Sequence, residues 1–177
     1  MSEKLYRVWD EKLYYDRKYC QKVLNEFNDL KSLDDKSDVL KKLIHAKGEF
    51  MIEVPFHCRY GYNIYMGIDF YGKRGIYIDD SAKVEIGNHV IIGENVSILT
   101  SCYPEDERLR MQGKEYAKEV KIFDNVCIGA QSIIYPGVKI SQGTMIMPGS
   151  IVMEDIPPYV MAGGNPCKII RAVDKEK

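Results

Sequence analysis

Three histidines, five cysteines and one acidic run are the side chains of this 177-residue chain that could carry polar chemistry. Proton transfer near neutrality needs a group whose charge changes there, and histidine supplies one unaided. His45, His57 and His89 stand apart, with no His-x4-His spacing, so a three-histidine zinc site is not expected and no metal is implied. Cys102 and Tyr103 stand together in LTSCYPEDERLRMQGKEY, followed by Glu105, Asp106 and Glu107. A thiolate is a nucleophile and a carboxylate a weak base, but a phenol with a pKa near 10 is a poor base at pH 7. Each also has an ordinary reading: a surface histidine, a thiol in an aliphatic slot, an acidic solvated loop. No glycine begins a GxxxxGK[ST] phosphate loop.

A repeat positions these residues. From Val84 the chain reads VEIGNH, VIIGEN, VSILTS and, after an interruption, VKIFDN, VCIGAQ, SIIYPG, VKISQG, TMIMPG and SIVMED. The first position is Val, Ser or Thr throughout, and the third is Ile except for one Val. A fixed short period marks a solenoid, and six residues suit one short strand plus a turn. Residues one and three of a strand share a side, so both aliphatic rows face one interior while Gly, Asn, Asp and Pro-Gly turn the corners. The expected fold is therefore mainly β, a parallel β-helix. Thr100 to about Glu119 is expected to protrude as a loop. Counting by a coil of three hexads sets Cys102 over Val84, pointing inward, and Tyr103 over Glu85, pointing outward.

The N-terminal part has another pattern. Leu5, Trp9, Leu13, Cys20, Leu24 and Phe27 recur at helical spacing, on one helix or two short ones. Lys31–Asp35 supplies cap residues for a second helix running to about Ala46, with Lys47-Gly48 ending it. The expected division is 1–48, helical, and 49–177, hexapeptide-repeat. Phe50 to Ser81 reads as strands and turns in which the six-residue rhythm begins less regularly, and the tail RAVDKEK reads as frayed. A net charge of −1 argues against a nucleic-acid partner. No apolar stretch approaches the ~18 residues of a membrane span, and MSEKLYRVWD has no signal-peptide core. Scattered cysteines without a CxxC pair point to reduced thiols and a cytoplasmic setting.

PFHCRYGYNIYMG, the hexads with their interruption, and the ending GSIVMEDIPPYVMAGGNPCKIIR together resemble the maltose and galactoside O-acetyltransferases, a family of hexapeptide-repeat acyltransferases. KLYRVWDEKLYYDRKYCQKVLNEFN is similar in spacing to that family's helical start, so the resemblance runs from about Lys4 to Arg171. It implies a left-handed coil, a homotrimer, and acetyl-CoA as co-substrate in clefts between subunits. It also implies a sugar-like acceptor, acetylated on a hydroxyl. The hand comes from the resemblance alone, since crossovers between parallel strands are generally right-handed.

The resemblance also implies site residues, several of which depart from the family's. The histidine that takes the acceptor's proton is met by Tyr103. An Asn near the acceptor, in a segment like FFANFG, is met by Lys73 in FYGKRG, and an acidic residue of the first helix by Arg7 or Val8. Asp80 keeps the carboxylate expected beside the acceptor. A Thr-Lys pair near coenzyme A is met by Met153-Glu154, where Glu154 opposes a phosphate. Lys168 and Arg171 keep basic positions, and the backbone around Ala130 and Pro148 completes the expected donor groove. The scaffold is thus expected intact, with activity reduced or altered. The alternative expectation is an inactive trimeric binding or structural protein.

Overall fold

The structure, a computed structural model, describes residues 4–29 and 36–174. The proposed cap segment Lys31–Asp35 lies outside the described residues. Three parallel sheets wrap a triangular coil. One carries Ile64–Met66, Val84–Ile86, Val120–Ile122 and Lys139–Ile140 and shows Tyr65, Glu85, Lys121 and Lys139 outward, a charged face. The next carries Phe50–Ile52, Phe70–Gly72, Ile91–Ile92, Cys127–Ile128, Met145–Ile146 and Val160–Gly163, with Met51, Tyr71, Ile91, Cys127, Met145 and Met161 in outward register. That face is apolar. The third carries Phe56–Cys58, Ile76–Ile78, Ser97–Ile98, Ile133–Ile134 and Ile151–Val152.

The hexads predict the interior well. Val84, Ile86, Val90, Ile92, Val96 and Ile98 are buried, as are Val120, Ile122, Val126, Ile128, Ile134, Val138, Ile140, Ile146 and Val152. Each such side chain contributes about 1.5–3 kcal/mol by leaving water. Ser132, Thr144 and Ser150 occupy first positions and are equally buried, with hydroxyls donating to the carbonyls of Gly129, Pro157 and Met147. Such a donor costs little once bonded. Later coils advance by the expected 18 residues, Lys121 pairing with Lys139 and Cys127 with Met145. Earlier coils advance by 20, Tyr65 pairing with Glu85 and Tyr77 with Ser97. The two extra residues sit in corners, which is why the rhythm before Val84 is irregular.

The N-terminal part departs from the expectation. Helix α1 spans Glu11–Asp29 and buries Cys20, Val23, Leu24 and Phe27, but Tyr6–Arg7 before it is a strand. Helix α2 is only Lys36–Leu40, and His45–Ala46, expected inside it, forms the first strand of the charged face beside Ile64–Met66. The ring of His45 stacks on Tyr65 at 4.6 Å. The apolar residues Leu43 and Ile44 are buried by the coil's end, which mimics a helical pattern locally. At the other terminus Lys168–Ala172 pairs antiparallel with Val160–Gly163, so the first two residues of RAVDKEK are ordered by a strand. Among the described residues no helix is long and apolar enough to cross a membrane.

Candidate active site

The chain leaves the coil at Thr100, on the edge between the third and charged faces, and returns at Val120. In between it builds a small antiparallel sheet in the order Tyr6–Arg7, Lys114–Ala117, Ser101–Cys102, with helix α3 (Glu107–Met111) at its tip. Asp106 caps α3 by accepting from the Arg108 amide at 2.9 Å, which removes one carboxylate from the acidic run as a free base. The N-terminal strand is closed onto the loop at Trp9. Gly113 has φ +63, its carbonyl accepts from Val8 N at 2.9 Å, and a Cβ there would stand 2.2 Å from the Trp9 ring.

This arrangement corrects the placement of two residues. Cys102 pairs with Tyr116 inside the loop sheet, and Val120 takes the slot over Val84. Tyr103 likewise does not stand over Glu85, whose partner is Lys121. The counting failed because the chain departs before that coil is completed. Tyr103 is 68% exposed. No hydrogen bond or ion pair joins its phenol to another described residue.

Beneath the loop lies a buried charged cluster. Arg59 Nη1 stands 3.5 Å from Asp79 and 3.3 Å from Glu115, whose side chains are 3% and 7% exposed. Tyr6 donates to Glu115 at 3.0 Å, while Ser81 and Ser101 hydroxyls and the Ser101 amide donate to Asp79. Burial alone would raise the Asp79 carboxyl, but these hydroxyls, the amide and Arg59 outweigh it and hold it below its ordinary value. Burial would lower Arg59, yet Asp79, Tyr60 and Glu115 raise it further. Burial pushes the Tyr6 phenol well above its usual range.

Asp80, expected beside the acceptor, is engaged by the backbone. It is fully buried, and its two oxygens accept from the amides of Arg59, Tyr60, Gly61 and Asn63 at 2.7–3.3 Å. Burial outweighs those bonds and raises its carboxyl above the ordinary value. Asp80 therefore holds the turn at 59–63, and its neighbour Asp79 faces the loop. Sequence reasoning missed Arg59, Asp79 and Glu115. The one available signal was charge at strand ends otherwise flanked by aliphatic residues.

The remaining site residues gather on a different edge, between the apolar and third faces. Lys73 N donates to Ile92 O, Gly93 N to Ile128 O, Gly129 N to Ile146 O and Met147 N to Ala162 O, which stacks these corners in one column. Ala130 and Pro148 follow in the same corners, and Gly129 packs so close that a Cβ there would meet Pro148 N at 2.4 Å. Lys168 extends the column by pairing with Gly163. Lys73 lies 3.9 Å from Glu94. Glu154, expected to repel a phosphate, is 3.2 Å from Lys168, so each offsets the other's charge on an exposed surface. Arg171 is exposed, its guanidinium donating to the Ala172 carbonyl. Within one chain, then, Tyr103 leaves one edge while Lys73, Ala130 and Pro148 line another.

The histidines do not converge. His45 is on the charged face, and His57 opens to a cleft of about 450 Å³ bordered by Arg17, Gln21, Asn25, Arg59 and Tyr77. His89 occupies a corner with φ 55, as Asn95 and Asn125 do in theirs, and lies 3.1 Å from Asp69. Among the described residues no group of three His, Cys, Asp or Glu side chains is placed to hold a metal ion.

Residues 1–48 match the maltose acetyltransferase hexapeptide capping motif. A putative acetyltransferase of Saccharomyces cerevisiae is 44% identical, over 95% of this chain and 87% of its own length. The crystal structure of a maltose O-acetyltransferase from Clostridium difficile superposes with a TM-score of 0.95 at 39% identity, covering 98% of this chain and 95% of the other. A galactoside acetyltransferase in complex with coenzyme A superposes at 0.92 with 32% identity, covering 98% and 88%.

Proposed function

The chain belongs to the maltose and galactoside O-acetyltransferase family of hexapeptide-repeat proteins, and on that premise we propose that it is an acetyl-CoA-dependent O-acetyltransferase of low turnover. In the reaction a hydroxyl of a sugar-like acceptor attacks the thioester carbonyl and loses its proton. The carbon–sulfur bond breaks and coenzyme A leaves as the thiol. The donor half is supported by the intact column of close-packed corners through Lys73, Gly93, Ala130 and Pro148, ending near Lys168 and Arg171. That a relative of full-length similarity is complexed with coenzyme A supports the same assignment. Low turnover rests on Tyr103. A phenol is a poor acceptor of a hydroxyl proton at neutral pH, and no hydrogen bond or ion pair from a described residue is there to make it a better one.

The homotrimer belongs to the proposal as well. The outward ladder Met51, Tyr71, Ile91, Cys127, Met145 and Met161 is an apolar strip that assembly would cover. Donor column and loop lie on separate edges of one chain, so a second copy must bring the two together. The five cysteines stand as free thiols, which fits a reducing, cytoplasmic setting. A second reading, a trimer that binds without catalysis, is favoured by the unpartnered Tyr103 phenol. Calorimetry with acetyl-CoA tests what both readings share, and sedimentation equilibrium tests the trimer. Absence of acetyl-CoA binding contradicts the donor assignment, and a stable monomer at micromolar concentration contradicts the shared site.

A further inference from the structure

A buried ion cluster needs a reason, because removing charges from water costs several kcal/mol each unless geometry and hydrogen bonds repay it. Here the cluster lies where four separate segments meet. Tyr6 comes from the N-terminal strand, Arg59 from the turn after Phe56–Cys58, Asp79 from the end of Ile76–Ile78, and Glu115 with Ser101 from the loop. The coil's own strands require none of these side chains. What the cluster adds is a tie between the loop and the coil.

We propose that Arg59 is a positioning residue for the loop that carries Tyr103, acting as a cationic pin between Asp79 on the coil and Glu115 on the loop's return strand. The order of dependence is readable in the hydrogen bonds. Asp80 gathers the amides of residues 59, 60, 61 and 63 and so fixes the turn from which Arg59 extends. Arg59 Nη1 then lies between Asp79 and Glu115. Glu115 in turn accepts from Tyr6, so the N-terminal strand is bound to the loop by a side chain as well as by its backbone pairing. Without the guanidinium, Asp79 and Glu115 would be like charges on a largely dry surface, with Tyr6, Ser81 and Ser101 as their neutral donors. The nearby Arg17 guanidinium, 5.8 Å from the Tyr60 ring, is engaged by the Tyr60 hydroxyl and the Val8 carbonyl, so among the described residues Arg59 is the cation paired with Asp79 and Glu115. Because one nitrogen bridges both carboxylates, a lysine ammonium can occupy the same place.

That this pinning serves catalysis rests on the reading of Tyr103 as the family's proton-transfer position. The pinning itself does not, and hydrogen exchange measures it without any turnover. In wild type, amides at 101–102 and 114–117 are expected to be protected at neutral pH. Arg59→Met should speed their exchange at least tenfold while amides of the coil at 120–152 keep theirs, and Arg59→Lys should recover much of the loss. Unchanged loop exchange in a folded Arg59→Met protein overturns the proposal. So does equal loss in Arg59→Met and Arg59→Lys, which marks a packing role alone. If Arg59→Met does not fold, an acid series on wild type decides. Loop protection factors should fall at a higher pH than those of the coil as Asp79 is protonated, and simultaneous loss overturns the pin. If acetyl transfer is measurable, Arg59→Met should lower kcat with the KM for acetyl-CoA unchanged. Absence of turnover in every variant counts against the enzymatic reading and leaves the exchange result standing.

Discussion

The coil and the loop solve the same problem, burying a backbone, by opposite means. The coil stacks Val and Ile in register, and its few interior hydroxyls bond to the nearest carbonyl. Each rung sees only its neighbours, so the arrangement repeats and tolerates variation in any single outward residue. The loop has little apolar interior, with only Pro104, Gly113 and Glu115 buried between Ser101 and Glu119. It is held by Arg59, Asp79, Tyr6 and the packing of Trp9 on Gly113, contacts that reach across as many as 109 residues. A fold built this way keeps its scaffold while its protruding part varies, because the aliphatic rungs of the coil are packed without the loop, whereas the loop depends on Arg59 and Asp79 of the coil.

The sharpest way to break the contrast is at Asp80, which fixes the coil turn that carries Arg59. Asp80→Ala leaves four amide donors without an acceptor, two of them, Tyr60 and Gly61, buried at about 1–3 kcal/mol each and two part-buried. We expect a loss of at least about 3 kcal/mol in denaturant unfolding. A loss below about 1 kcal/mol shows that the turn at 59–63 is not what fixes this junction. Next in size is Ile134→Ala, which removes a fully buried rung and should cost about 2–5 kcal/mol. Leu109→Ala, the one half-buried residue of the otherwise exposed α3, should cost less than about 1 kcal/mol. Equal losses would mean that the loop has a core of its own.

Acid sharpens the comparison further. Asp79 is held below its ordinary value, so its stabilising contribution is complete above the unfolded carboxylate value and is lost as pH falls through the folded one. Asp80 has the opposite sign: its raised value means that ionisation works against the fold, and acidification relieves it. The Tyr103 loop should therefore loosen at low pH while the 59–63 turn holds, seen as early loss of Trp9 packing by fluorescence. A Trp9 signal that changes only with global unfolding contradicts this. The smallest effect is expected at Glu154→Lys. The Glu154–Lys168 pair is exposed and so worth roughly 0–1 kcal/mol. Coenzyme A affinity measured by calorimetry should rise by no more than about tenfold, and no rise at all places Glu154 away from the phosphates.

What the sequence made legible follows the same division. Nine hexads placed inward strands because period-six aliphatic rows report local geometry, and the first and third positions of all nine are buried, whereas Cys102, counted inward beyond them, is not. The limits of the loop were visible as an interruption of that period. Its internal sheet was not, because Tyr6 pairing with Glu115 depends on no periodicity. For the same reason the doublet Asp79-Asp80 could not be told apart, since adjacent carboxylates look alike until their donors are known: Asp80 takes the turn amides and Asp79 the Ser101 amide. His45 was misplaced because Leu43 and Ile44 fit a helix as well as they fit the end of a coil. For Tyr103 the outward direction was expected and it is exposed, but its place in the loop rather than over Glu85 was not legible.

The central proposal is a retained donor column with impaired proton transfer at position 103. Its most direct test is acetyl-CoA-dependent thiol release with galactoside and maltose acceptors, comparing wild type, Tyr103→Phe and Tyr103→His. A positioned general base contributes about 10²–10⁴ in rate. Wild type and Tyr103→Phe are expected to be equally slow, and Tyr103→His faster by about tenfold or more, short of the full range if Lys73 replaces an acceptor-side asparagine as the resemblance implies. Robust wild-type turnover that Tyr103→Phe abolishes would make the phenol a working base and contradict the account.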